Sequence, residues 1–181
     1  MSQSFAVWFV IGLALITANL PFLSERPFVV LPWLQKGEKP APAWLRWPGS
    51  LLFFCVLVGV AWLGYWLIGG AVLLAGDAAS ALLFTLRLIG ALVLTGLVLA
   101  YPGWRTRHAK VEKSFFVRLI ELLVFYGLVG TLGFAFELNL GNAFAQAWQF
   151  YAVTLSLFVV LGYPGFVLKY LLHRRKHNRA R

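Results

Sequence analysis

Apolar residues fill five long stretches of the chain, and short polar or charged segments separate them. The stretches run over about 4–23, 51–75, 78–101, 114–136 and 143–168. A helix that crosses a bilayer needs ~20 predominantly apolar residues, so each stretch is long enough, and the longest have room to tilt. The pattern predicts an all-α membrane protein of five transmembrane helices. The first stretch has no positively charged start and no Ala-x-Ala site follows it, so it reads as a retained helix and not a cleaved signal.

Lysine and arginine order these spans. Arg26, Lys36, Lys39 and Arg46 lie between spans one and two, and Arg105, Arg107, Lys110 and Lys113 between three and four. Lys169, Arg174, Arg175, Lys176, Arg179 and Arg181 follow span five, whereas 1–3, 76–77 and 137–142 carry none. With five crossings every basic segment falls on one side, so an external amino terminus and a cytoplasmic carboxyl terminus are expected. The segment 24–49 holds five prolines and three tryptophans. Its prolines argue against one continuous helix, and Trp33, Trp44 and Trp47 suit headgroup level, so it is expected along the cytoplasmic membrane surface.

Composition agrees with the pattern. Hydrophobic residues make up 61 % and charged residues 12 %, with a mean hydropathy of +0.80, far from the profile of soluble domains. The net charge of +10 lies in loops and one terminus, where it sets orientation and meets anionic lipid. Membrane lipid is thus an expected partner and nucleic acid is not. Cys55 is the single cysteine, which excludes an internal disulfide and a thiolate metal site.

The triplet Tyr101-Pro102-Gly103 returns 62 residues later as Tyr163-Pro164-Gly165, and at the same offset Phe53, Phe54, Leu57, Ala81 and Leu99 have identical counterparts. The echo suggests one leading helix plus two similar hairpins. Both triplets are expected to mark helix ends: tyrosine at headgroup level, proline breaking or kinking the helix, glycine freeing the turn.

Few residues are candidates for chemistry. Arg87 stands ten residues from Asp77 and fourteen from Tyr101, ~15 Å and ~21 Å at 1.5 Å per residue. Insertion scales charge ~2.5–3.5 kcal/mol for arginine at such depth. It either lines an ion or substrate path, or snorkels or pairs with a neighbouring helix. Glu121, ~12 Å deep from Lys113, is the nearest candidate partner, but it also follows Arg118 by three residues and can pair with it locally. Gly127, Gly130 and Gly133 recur at every third position and would let another helix approach closely. His173 and His177 have metal-ligand spacing but sit among Arg174, Arg175 and Lys176, whose charge repels a cation. No zinc-protease, P-loop, nucleophile-elbow or Cys-x-x-Cys motif occurs, and neither an enzyme nor a cofactor is expected.

The blocks "ANLPFLSERPF" (18–28), "RLIELLVFYGLVGTLGFAFE" (118–137), "QAWQFYAVT" (146–154) and "YPGFVLKYL" (163–171) resemble a family of small, uncharacterised proteobacterial inner-membrane proteins known only as a domain of unknown function. Members are shorter, with three spans, and their genes commonly lie beside those for membrane-arm subunits of respiratory complex I, the proton-pumping NADH:quinone oxidoreductase. The resemblance implies a family-like first helix (1–32), an inserted loop and hairpin (33–112) and a family-like second hairpin with a basic tail (113–181). It implies complex I membrane subunits as partners and no reaction. Where the family pattern has an acidic residue after the tryptophan, this chain has Gln149. On this topology Asn19, Arg26, Arg118 and Glu121 all fall near the cytoplasmic side, and they are expected to form a polar knot joining the family helices. The function expected is that of a non-enzymatic accessory or assembly protein of the bacterial inner membrane. The alternative is a small transporter or channel subunit with a polar path through Arg87 and Glu121.

Overall fold

A computed structural model of the chain describes residues 3–35, 37, 42–70, 78–106, 111, 113–142 and 145–172. The secondary structure of the described residues is all helical, without strands: α1 (Gln3–Leu23), α2 (Ala43–Gly69), α3 (Ala78–Arg105), α4 (Phe115–Asn139), α5 (Trp148–Leu161) and the short α6 (Tyr163–Val167), followed by a π-helical turn, Leu168–Leu172. Five spans are long and apolar enough to cross a membrane, the fifth running through the α5–α6 junction from Trp148 to Leu171.

Local chemistry explains both ends of α4. Ser114 caps α4, its hydroxyl accepting from the Val117 N–H at 3.4 Å. At the other end Gly141 takes φ +79°, Asn142 N–H donates to the Glu137 carbonyl at 2.9 Å and Gly141 N–H to that of Leu138 at 3.1 Å. This is the glycine-dependent C-terminal cap that satisfies the last carbonyls of a helix. Pro42 precedes α2, which begins at Ala43, eight residues ahead of the span expected from hydropathy. The second part of the proline-rich segment is therefore helical, with Pro48 in its second turn.

The helices pack around α4. It contacts α1, α2 and α5; α2 also carries α3, and α1 carries α5 and α6. Two apolar clusters hold the bundle. One gathers Ala18, Phe22, Val29, Leu57, Val117, Leu122 and Phe125. The other, toward the end where α2 finishes and α3 begins, gathers Ala6, Ile68, Phe84, Leu88, Ala135 and Phe136. Asn139 donates to the Ile68 carbonyl at 3.1 Å there, which puts the ends of α2 and α4 side by side.

Two expectations change. The first part of the α1–α2 connection, expected along the membrane surface, packs into the bundle: Pro27, Val29 and Leu31 are buried, and the Phe28 ring packs edge-on against Phe125. Apolar side chains at 28, 29 and 31 gain more from α4 than from an interface. The two hairpins also differ. α2 and α3 pack along each other, but α5 leans toward α1 and meets α4 sparingly, leaving a groove between them.

Candidate functional site

The polar side chains that cluster in the bundle meet where α1 ends and α4 begins. Pro21 closes α1 together with Phe22 and Leu23, and carbonyls in the last turn of a helix lack intrahelical donors. Arg118, on the first turn of α4, supplies them: its Nη1 donates to the Pro21 carbonyl at 2.8 Å and to that of Phe22 at 3.1 Å. Its Nη2 meets Glu25 Oε2 at 2.8 Å, and Lys169 from the π-helical turn pairs with the other oxygen of Glu25. Arg118 is only 2 % exposed, so this guanidinium acts as an internal brace between α1, its connection and α4.

Glu121, one turn further along α4, has no exposure. Its Oε2 accepts from Lys113 Nζ at 2.6 Å, and its Oε1 accepts from the Phe28 N–H at 2.7 Å. Lys113 also lies over the Phe28 ring, 4.6 Å from its centroid, a favourable position for a desolvated cation. Burial pushes the Lys113 ammonium below its usual range, against the pull of the Glu121 carboxylate.

The local Arg118–Glu121 pair expected from spacing is replaced by two longer-range ones, Arg118 with Glu25 and Glu121 with Lys113. Asn19, Arg118 and Glu121 all bind in this region, but Arg26 stands apart. It is exposed, and its stem lies against Gly103 of α3. Glu25, Lys113 and Lys169 complete the cluster, and sequence spacing offered little sign of them. Glu25 lies inside the quoted block 18–28, whereas Lys113 and Lys169 read only as orienting charges. Lys113 and Glu121 are both fully enclosed, whereas Glu25 is 50 % exposed. Replacing Lys169 with alanine should therefore cost no more than ~1 kcal/mol, as for exposed ion pairs, a shift readable as the thermal midpoint in detergent.

The second Tyr-Pro-Gly triplet takes part in the same assembly. Pro164 has no N–H, and α5 stops at Gly162 before α6 resumes. Into this break α1 inserts Asn19. Its Nδ2 donates to the Leu161 carbonyl at 2.9 Å, and its Oδ1 accepts from the Gly165 N–H at 2.7 Å. Leu161 and Gly165 are four apart, so the carboxamide stands in for one rung of the helical ladder. The first triplet does not break its helix, since α3 continues to Arg105 and Thr106 N–H donates to the Pro102 carbonyl at 3.1 Å. There Gly103 faces Arg26 and the Pro27 carbonyl. Both triplets thus border the segment 19–27, one from each side, and their glycines are close-approach points. Tyr101 and Tyr163 are exposed beside them.

Arg87 and Glu121 do not come together. Arg87 is exposed on α3, which packs on α2 and meets α4 through Phe84 against Phe136, whereas Glu121 is enclosed nearer the end of the bundle where α4 begins. They line no common path. Gly127, Gly130 and Gly133 have open space where a side chain would stand; among the described residues no helix packs closely on them. They border a groove of about 660 Å³ between α1, α4 and α5, lined mostly by apolar residues such as Val10, Ala14, Phe134 and Leu157, with Glu137 among its polar ones. The described residues hold no group of three or more His, Cys, Asp or Glu suited to a metal. His173 and His177 lie outside the described residues.

Searches of curated proteins and of solved structures return no match to this chain. A family profile matches residues 6–72 and 104–173, so that α1, α2, α4 and α5 fall within it and residues 73–103, most of α3, fall in neither segment. With well over half of its residues matched, the chain belongs to DUF2818, a family of proteins of unknown function.

Proposed function

We propose that this protein is a non-enzymatic accessory or assembly protein of the bacterial inner membrane, with its amino terminus external and its carboxyl terminus cytoplasmic. Its proposed partners are membrane-arm subunits of respiratory complex I. The observation that carries the reading is how the polar residues are used. Lys113, Arg118 and Glu121 are the buried charged side chains among the described residues, and all three hold the end of α1 or the connection after it onto α4. Long apolar helix faces meanwhile stay exposed, with Trp62, Trp66, Leu82, Leu86, Val153 and Val160 among them. A chain whose buried charge is committed to holding its own helices and whose surface is apolar along its length is suited to contact with lipid and other membrane helices. The resemblance noted above supplies the partner, and the basic segments supply the orientation.

A tagged copy purified in mild detergent tests this directly. Complex I membrane-arm subunits are expected to accompany it in near-stoichiometric amount. Their absence, with the protein itself folded and recovered in normal yield, would show that the partner is wrong.

A further inference from the structure

We infer that the flank of α3 around Arg87 is a docking face for a transmembrane helix of another protein, and that the group it recognises there is a carboxylate at mid-membrane. Arg87 lies nine residues beyond the start of α3 at Ala78, about 13 Å along the axis, close to the ~15 Å half-thickness of the hydrocarbon core. Its side chain is exposed, and no hydrogen bond or ion pair joins it to the described residues. Snorkelling serves arginines near helix ends, and at this depth an arginine on an outer face needs an acceptor brought to it. A carboxylate neutralises the charge and can take two of its N–H groups at once. Gly90, three residues on and so on the same flank, has open space around it and leaves room for a second backbone.

The other described acids of this chain do not fill that role. Glu121 is closed around Lys113, and Glu25 holds Arg118 and Lys169. Glu137 borders the groove and a second hollow beside Tyr65 of α2; it follows Phe136 toward the end of α4, whereas Arg87 stands three residues further into the bundle than Phe84, which packs on Phe136, so the two differ in depth by about 6 Å. A two-fold pair of copies therefore does not bring each Arg87 to the other's Glu137, and a one-way contact leaves bare charges at both ends of the chain of copies. Residues 73–103 fall in neither segment matched by the family profile. The docking face thus belongs to a part of this protein that the family pattern does not include.

The inference deepens the accessory-protein reading, from which it takes only that the protein binds another membrane protein. It is tested with a designed probe: a synthetic single-span Leu/Ala helix carrying one Glu at its midpoint, and the same helix with Gln. Association with the full-length protein is followed by energy transfer in phosphatidylcholine vesicles. The Glu helix is expected to bind about tenfold more tightly than the Gln helix. Arg87→Leu, at an exposed position that leaves the bundle intact, should abolish the difference and Arg87→Lys should keep part of it. Equal binding of the two helices, or a difference that survives Arg87→Leu, overturns the inference. So does self-association of the protein that Arg87→Leu removes, which would make a second copy the occupant. Retention of anionic lipid by the parent but not by Arg87→Leu, with no preference between helices, would assign the face to a phosphate instead. A Glu-selective contact without complex I subunits in the purification refutes the partner named above and leaves this inference standing. Co-purification of those subunits alongside equal binding of the two helices does the reverse.

Discussion

Glu121→Ala is expected to destabilise the protein by about 3–5 kcal/mol, the range seen when one member of a buried ion pair is removed. Three things follow from losing this carboxylate. The Lys113 ammonium stays enclosed without its counter-charge; the Phe28 N–H loses its acceptor; and a void opens where the fully buried side chain stood. An isolated buried cation is far more costly than an exposed one, so the connection after α1 should detach from α4 to reach water. The measurement is the yield of folded protein and its thermal midpoint in detergent. Replacing both partners together, Lys113→Met with Glu121→Leu, should recover most of the loss, because an apolar pair of similar volume needs no counter-charge. Normal yield and midpoint for Glu121→Ala would remove the pair from its place at the centre of the fold. A double variant no better than the single would show that the Phe28 contact, and not the charge pair, carries the effect.

The five spans were legible because the bilayer leaves a chain few options: every backbone group must be bonded within its helix, so length and apolarity alone mark a crossing. The start of α2 was not, because Trp44, Arg46, Trp47 and Pro48 dilute the apolar signal over a stretch that is nevertheless helical. The location of the polar cluster was legible in part. Asn19, Arg118 and Glu121 stood out as polar residues close to or inside apolar runs, but their partners were hidden. Spacing of three suggested that Arg118 and Glu121 bind each other. What separates them is the demand of neighbours distant in sequence. The carbonyls at the end of α1 need donors that α1 cannot supply, and Arg118 is placed to give two N–H contacts to them. Lys113 and the Phe28 N–H are then left to satisfy Glu121. Such choices depend on which loop folds back onto which helix, and no periodicity records that. The Tyr-Pro-Gly copies show the same limit from another side. Their repetition was visible, whereas the use of their glycines as landing points for one segment, 19–27, needed the third dimension.

Gly165→Ala is expected to cost about 2–4 kcal/mol, combining an overpacked contact with the loss of a partly buried hydrogen bond. A Cβ at this position would stand 2.8 Å from Asn19 Oδ1 and 3.2 Å from both the Asn19 carbonyl oxygen and the Phe22 Cβ. Two of these three neighbours cannot turn aside: one is helix backbone and the other is a Cβ fixed to it. The Asn19 carboxamide can rotate, but only by releasing the Gly165 N–H and the Leu161 carbonyl that it bridges. α1 and α6 should therefore separate slightly at this level, loosening the turn from which Lys169 reaches Glu25. Gly130→Ala is the matching control. Nothing lies within 4 Å of its added methyl, and alanine is the better helix former by ~1 kcal/mol, so stability should hold or rise. Gly103→Ala, with its nearest neighbour at 3.4 Å, should fall between the two. The contact with Asn19 can be isolated by a double-mutant cycle. If the carboxamide is what the new methyl displaces, Asn19→Ala and Gly165→Ala together will cost clearly less than the sum of the two changes made singly. Additive losses would mean that Phe22 and the α1 backbone, not Asn19, set the requirement for glycine at the second Tyr-Pro-Gly.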